Sequence, residues 1–238
     1  MKKQGVSSRG WRLATGSSLT VLMIVSVGVL KGSAAGRVSE HADQGLTLTV
    51  RVYNYARVSA EDMATAERVA TRIFQKTGVE LSWVDCPLTR QEVQQNPACQ
   101  SSHTPTEIIL RIVPMFPQGL GLSPSAMGYA LPTPPPHRGY LFSISYTRAQ
   151  AQLQETQGLT LGQLLGHGIA HEIGHLLLGT NSHSPAGLMC AHWNANELVL
   201  AAYGQFNFSR EQADSIRGDV RTRTKEQEFQ QMAEVAAK

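Results

Sequence analysis

The most chemically informative stretch of the sequence is the pentapeptide from His171 to His175, which reads HEIGH. Side chains four positions apart on an α-helix lie on the same face, because the helix has 3.6 residues per turn. The imidazoles of His171 and His175 can therefore bind one metal ion. A zinc ion lowers the pKa of a water molecule bound to it, and Glu172 can take the proton from that water. The pentapeptide predicts a zinc hydrolase, and among hydrolases a peptidase.

The residues around the pentapeptide predict that it lies on a buried helix. Apolar residues recur at helical spacing from Leu159 to Leu178, and Gly179 follows, as glycine often does after the end of a helix. The alternative is a buried helix whose two histidines serve only each other, without a metal.

A histidine and a methionine follow this helix, in a segment from Gly179 to Met189 that reads GTNSHSPAGLM. Catalytic zinc usually has three protein ligands. In these features the chain resembles the metzincin clan of zinc peptidases, in which HExxHxxGxxH precedes a methionine-bearing turn. The resemblance implies zinc ligands at His171, His175 and His183, a general base at Glu172, and Met189 as the Met-turn residue.

The glycine lies one residue later, and the third histidine two residues later, than in the clan's pattern. The clan's glycine would fall at Leu178 and its third ligand at Asn181, whereas this chain has Gly179 and His183. A turn that contains asparagine and serine can take up the additional residues. Because an asparagine is a poorer zinc ligand than imidazole, the expected third ligand is His183, with Asn181 as the alternative.

Glu197 gives a second alternative for the third ligand. It lies on a helix predicted from Asn194 to Tyr203, and His2Glu zinc sites take their glutamate from such a helix. The chain would then be a thermolysin-like hydrolase, a gluzincin, and neither Gly179 nor His183 would have a role.

Three more residues are expected near the site without binding the metal. His167 is two helical turns, about 12 Å, from His175, so a core or supporting role is predicted. His192 is expected at the rim of the site, and Trp193 is expected to pack under it.

Alternating and periodic apolar residues predict an α/β (α+β) fold, in which a small mixed sheet with a packing helix precedes the active-site helix, the Met-turn and a C-terminal helix. The strand–helix–strand order at the start favours a parallel pair. The predicted strands are 45–55, 79–84, 106–113 and 139–146, and the packing helix is 59–76 with Ser59 as its N-cap.

The sequence also predicts the structure of two further segments, the loop 114–138 and the C-terminal region. The loop 114–138 is rich in proline and glycine, and an edge strand at Ser125–Leu131 within it would pair with an extended substrate; the alternative is a surface loop. The last helix is expected to start at Ser209, with Gln212 completing a capping box, and to give way to a polar tail at residues 222–238.

The first 35 residues are predicted to be a secretory signal peptide. Basic residues precede an apolar run from Leu19 to Leu30, and small residues follow it as far as Ala35. The run is shorter than the roughly 20 residues that span a bilayer, although an uncleaved anchor is the alternative. The catalytic domain is then expected at residues 36–221, in a secreted or periplasmic protein that is membrane-anchored only if this segment is retained.

The charge of the chain narrows the classes of binding partner. The formal net charge is +3, part of it from the basic N-terminal region, and no basic cluster suggests nucleic acid binding. The expected partner is a peptide or protein substrate.

Cys86 and Cys99 are a candidate disulfide for an oxidising compartment, which leaves Cys190 as a small buried residue or a free thiol near the metal.

The sequence therefore predicts a zinc metallopeptidase with Zn²⁺ as its cofactor. A zinc-binding protein without turnover is the alternative from another functional class. Glu172 argues against that alternative, since metal binding alone does not need a carboxylate at this position.

Overall fold

The computed structural model describes residues 45–100, 103–133, 138–154 and 158–237, all within one structural unit at 41–238. The predicted signal peptide, its cleavage site and the start of the predicted domain lie outside the described residues. The strands are β1 (Leu46–Asn54), β2 (Val79–Asp85), β3 (Glu107–Val113), β4 (Gly128–Ala130) and β5 (Leu141–Ser145). The helices are α1 (Ala60–Gln75), α2 (Arg90–Gln94), α3 (Pro97–Gln100), α4 (Tyr146–Gln154), α5 (Leu161–Leu178), α6 (Ala195–Ala202) and α7 (Arg210–Ala236).

The strands form one mixed sheet in the order β2-β1-β3-β5-β4. Four strands are parallel, and the short edge strand β4 runs antiparallel to β5. The alternating apolar side chains Leu48, Val50 and Val52 of β1 are at most 1% exposed. The predicted α+β class is confirmed, as is the parallel pairing of β1 with β2. No helix within the described ranges has the length and apolar character needed to cross a bilayer.

Helix α5 packs closely against α1. Ser59 caps α1 by accepting a hydrogen bond from the backbone of Asp62, and the apolar face of α1 is buried. A side chain at Gly166 of α5 would begin 2.6 Å from the carbonyl oxygen of Ala66 on α1. The absence of a side chain at this position therefore allows the two helix backbones to approach, and α5 is fixed in place by a helix that carries none of the predicted site residues.

The segment between β2 and β3 contains more structure than the sequence predicts. Cys86 and Cys99 are joined by a disulfide across a sequence separation of 13. The predicted polar loop between them holds the short helices α2 and α3, and Thr89 caps α2 by accepting a hydrogen bond from the backbone of Glu92. Neither helix is long enough to show a hydrophobic period in the sequence.

Helix α7 does not give way to the predicted polar tail, because it continues past Thr222 to Ala236. Arg223 is only 1% exposed. Its guanidinium donates hydrogen bonds to Asp219 and to the carbonyl oxygens of Pro105, Gly139 and Leu176, at 2.6–3.2 Å. A buried charge with this many partners ties the predicted tail to β3, β5 and the end of α5.

We expect Arg223→Met to lower the free energy of unfolding by about 3 kcal/mol, because it leaves three buried carbonyl groups and Asp219 without this donor. Denaturant titration at constant pH measures the change. The matched control is Arg221→Met, on the exposed side of the same helix, which is expected to change stability by less than about 0.5 kcal/mol. Equal losses in both variants would show that Arg223 does not anchor α7.

Candidate metal centre

The first two predicted ligands lie on one face of α5. Thr160 and Gln163 form a capping box at the start of this helix. One turn apart near its other end, His171 and His175 bring their Nε2 atoms to 3.0 Å from each other. His171 is buried, and His175 is half-buried. Both Nε2 atoms therefore point to the same small volume.

The segment after α5 returns a third imidazole to this volume. Gly179 ends the helix with a φ of 85°, and Asn181 adopts a left-handed φ of 61°. Ring centroids lie 4.6 Å apart for His175 and His183. One nitrogen atom from each of the three histidines lies within 4.8 Å of the others. The two additional residues of the linker are thus absorbed by two left-handed backbone positions.

The two alternative ligands have other places in the structure. Asn181 is exposed, and its backbone forms part of the turn. Glu197 is the third residue of α6, where its carboxylate accepts a hydrogen bond from the backbone N–H of Asn194, 3.1 Å away. Among the described residues, the group of side chains able to hold a metal ion consists of the three histidines alone.

Hydrogen bonds at Nδ1 orient the two helical imidazoles. His171 donates from Nδ1 to the carbonyl oxygen of Leu188, 2.7 Å away, and its Nε2 therefore carries a lone pair. Nδ1 of His175 lies 2.8 Å from the hydroxyl oxygen of Ser182. When His175 donates to this hydroxyl group, two lone pairs face each other across 3.0 Å, an arrangement that favours a cation between them.

The three imidazoles are in the uncharged form that a metal ion requires. Burial lowers the pKa of His171 to about 4 and that of His175 to about 3, and neighbouring imidazoles contribute to both changes. Partial burial also lowers the pKa of His183. Three neutral nitrogen donors are the ligand set of several catalytic zinc sites, so the residues present fit zinc.

Glu172 is a buried carboxyl group beside these ligands. It is 5% exposed, and its Oε2 accepts no hydrogen bond from any residue that the structure describes. Burial raises the pKa of Glu172 to about 8, and a cation on the neighbouring histidines would lower it again. The carboxyl group of Glu172, with one oxygen that has no partner among the described residues, is thus available for proton transfer.

The edge strand β4 lies directly against Glu172. A Cβ atom at Gly128 would be 2.5 Å from Oε1 of Glu172 and 2.7 Å from its Cδ and Cγ. The position of the carboxyl group therefore depends on the lack of a side chain at Gly128. Our sequence interpretation missed this residue, although a glycine inside a predicted strand often marks a close approach of another group.

The predicted Met-turn packs against the other side of α5. A Cβ atom at Gly174 would be 2.6 Å from Sδ of Met189, and Met189 is fully buried. The residue before it, Leu188, supplies the carbonyl group that orients His171. The turn therefore contributes a backbone atom to the site, which no side-chain pattern in the sequence can reveal.

The other residues that were predicted near the site differ in their placement. Trp193 places its ring edge-on to that of His171, with centroids 5.6 Å apart. His167 is buried, and its ring lies near Phe206, with centroids 5.9 Å apart. His192 is exposed. Of the two alternatives for Cys190, the structure shows a free thiol, and its side chain is half-buried.

Comparisons with known proteins find similar chains among solved structures. A scan against protein-family models finds no match, and a search of curated proteins finds none. Among solved structures, the crystal structure of archaemetzincin from Methanopyrus kandleri is similar at 13% sequence identity, with 75% of this chain and 98% of that chain covered and a TM-score of 0.45. At this level the likeness supports no inference about activity.

Proposed function

We propose that this chain is a zinc-dependent metallopeptidase. The observation that carries the proposal is the convergence of three neutral imidazole nitrogens within 4.8 Å next to a buried carboxyl group, that of Glu172, whose Oε2 has no hydrogen-bond partner among the described residues. His171, His175 and His183 would hold the metal, and Glu172 would act as the base. This arrangement also supports the proposed membership of a metzincin-like group, with Met189 beneath the site.

The chemistry follows from the atoms around the site. A bound zinc ion would polarise a carbonyl group and lower the pKa of a water molecule. Glu172 would take a proton from that water at its carboxylate and later pass it to the nitrogen of the leaving amine. Leu188 and Ser182 would keep the imidazoles of His171 and His175 in the orientation that presents Nε2.

The edge of the sheet supports a peptide as the substrate. Strand β4 pairs with β5 on one side, and no strand within the described ranges pairs with its other side. An extended peptide can add to such an edge through main-chain hydrogen bonds. Because β4 also contacts Glu172 through Gly128, a peptide on this edge would lie near the proposed base.

We also propose that the protein acts outside the cytoplasm, in the secreted or periplasmic space. The support is the predicted signal segment together with the Cys86–Cys99 disulfide, a bond that persists in oxidising compartments. Contact with a membrane would arise only if the N-terminal segment is retained. Size analysis of exported protein by mass spectrometry tests this proposal, and an intact N-terminus on released protein would contradict cleavage.

Removal of the metal tests the proposed activity. We expect purified protein to contain close to one zinc ion per chain, to cleave members of a broad peptide library, and to lose that activity on dialysis against a chelator. Addition of zinc alone should restore cleavage. Full activity of the metal-free protein would refute the proposal, and zinc binding without any cleavage would favour a zinc-binding protein without turnover.

Gly128→Ala is expected to lower kcat for peptide cleavage by roughly tenfold or more while zinc content stays unchanged, because the added methyl group displaces the carboxyl group of Glu172. The matched control is Gly218→Ala on α7, where a methyl group meets nothing within 4 Å. Steady-state kinetics and metal analysis of both variants check the prediction. An unchanged kcat in Gly128→Ala would show that this contact does not position Glu172.

A further inference from the structure

A cavity of about 310 Å³ lies between α1, the first half of α5 and the end of α6. None of the three histidines of the metal centre lines it. Its apolar lining comes from Val69 and Ile73 of α1 and from Ala201 and Ala202 of α6. This volume is at the lower end of the range of about 300–1,000 Å³ that is usual for small-molecule sites. The space therefore suits a ligand with a short aliphatic part.

The charged residues of the cavity have one sign. Arg72 of α1 and Lys76, the residue that follows α1, line it with exposed side chains, and no aspartate or glutamate does so among the described residues. Neither forms an ion pair within the described part of the chain, although Lys76 donates one hydrogen bond to the carbonyl oxygen of Gly204. Two cations without a carboxylate partner favour an anionic ligand.

The cavity also presents a hydrogen-bond acceptor. His167 lines it, is 2% exposed and donates from Nδ1 to the carbonyl oxygen of Gln163, 2.8 Å away, so its Nε2 is an acceptor. An acceptor of this kind is satisfied by a hydroxyl group on a ligand.

We propose that this cavity binds a small aliphatic hydroxycarboxylate. The carboxylate faces Arg72 and Lys76, the hydroxyl group donates to Nε2 of His167, and the aliphatic part lies between α1 and α6. The proposal does not depend on the metal centre, because none of the proposed zinc ligands lines this cavity.

Calorimetric titration of the zinc-loaded protein with 2-hydroxy-4-methylpentanoate tests the proposal. The matched uncharged probe is 2-hydroxy-4-methylpentanamide, which keeps the shape and the hydroxyl group. We expect the acid to bind and the amide to bind roughly tenfold more weakly or not at all. Arg72→Gln and Lys76→Gln should each weaken binding of the acid by roughly tenfold, and Ala202→Leu, which narrows the cavity, should weaken it as well.

Arg68→Gln is the control variant, since Arg68 is a cation on the same helix and is exposed as Arg72 is, but does not line the cavity. It should bind the acid as the parent chain does. Equal affinity in the parent, Arg72→Gln and Lys76→Gln would overturn the proposal and place the acid elsewhere, including at the zinc ion. Absence of binding to the parent chain would also overturn it.

Discussion

Replacement of Glu172 by glutamine is expected to lower kcat/KM for peptide cleavage by roughly 10³-fold and to leave the zinc content unchanged. The amide has nearly the same shape as the carboxyl group but cannot take a proton from water, and a general base contributes about 10²–10⁴-fold. Because Oε2 of Glu172 has no partner among the described residues, the substitution breaks no hydrogen bond given by the structure. A loss of stability is therefore not expected to explain the loss of activity.

Glu197→Gln is the matched control for this experiment. It makes the same chemical change at a carboxylate that accepts a hydrogen bond from Asn194 at the start of α6. We expect near-parental cleavage and full zinc content in this variant. Cleavage by Glu172→Gln at a rate within tenfold of the parent would remove Glu172 from the mechanism, and loss of zinc in Glu197→Gln would support the thermolysin-like alternative.

His183→Ala is expected to weaken zinc binding by at least about 100-fold, because it would remove one of the three proposed protein ligands. Competition with a chromogenic chelator of known affinity measures the change. Helix α5 is not expected to unfold, since its cap and its packing against α1 do not involve His183.

The control for the third ligand is Asn181→Gly, which removes the competing amide group. Glycine adopts the left-handed φ of 61° found at Asn181 without strain, whereas alanine would confound ligand loss with backbone strain. We expect parental zinc affinity in this variant. Loss of zinc in Asn181→Gly with retention in His183→Ala would assign the third ligand to Asn181.

Much of the scaffold follows from local patterns in the sequence. Strong alternation predicts β1 and β3, and apolar periodicity with terminal signals predicts α1 and α5, because each pattern reflects one buried face. The i, i+4 spacing of His171 and His175 likewise lies within one helix. These features depend on neighbours in the chain, so a single sequence is sufficient to identify them.

The features that the sequence did not reveal depend on distant partners. Arg223 lies in a run that reads as a polar tail, and only the fold brings the carbonyl groups of Gly139 and Leu176 within its reach. Gly128 precedes Glu172 by 44 residues in the sequence, and their contact has no local signal. The convergence of His183 was expected from a family resemblance and from the preference of zinc for imidazole, since the linker length does not determine the path of the turn.

The division of the three imidazoles between a helix and a surface turn has a consequence for protein redesign. His171 and His175 belong to a helix held by its own cap and neighbours, whereas His183 projects from an exposed turn. Exchange of residue 183 for a carboxylate or a thiolate would change the hardness of the proposed ligand set and leave the scaffold intact. Because harder ligands favour manganese and softer ones favour copper(I), selectivity among metal ions would be adjustable from one surface position.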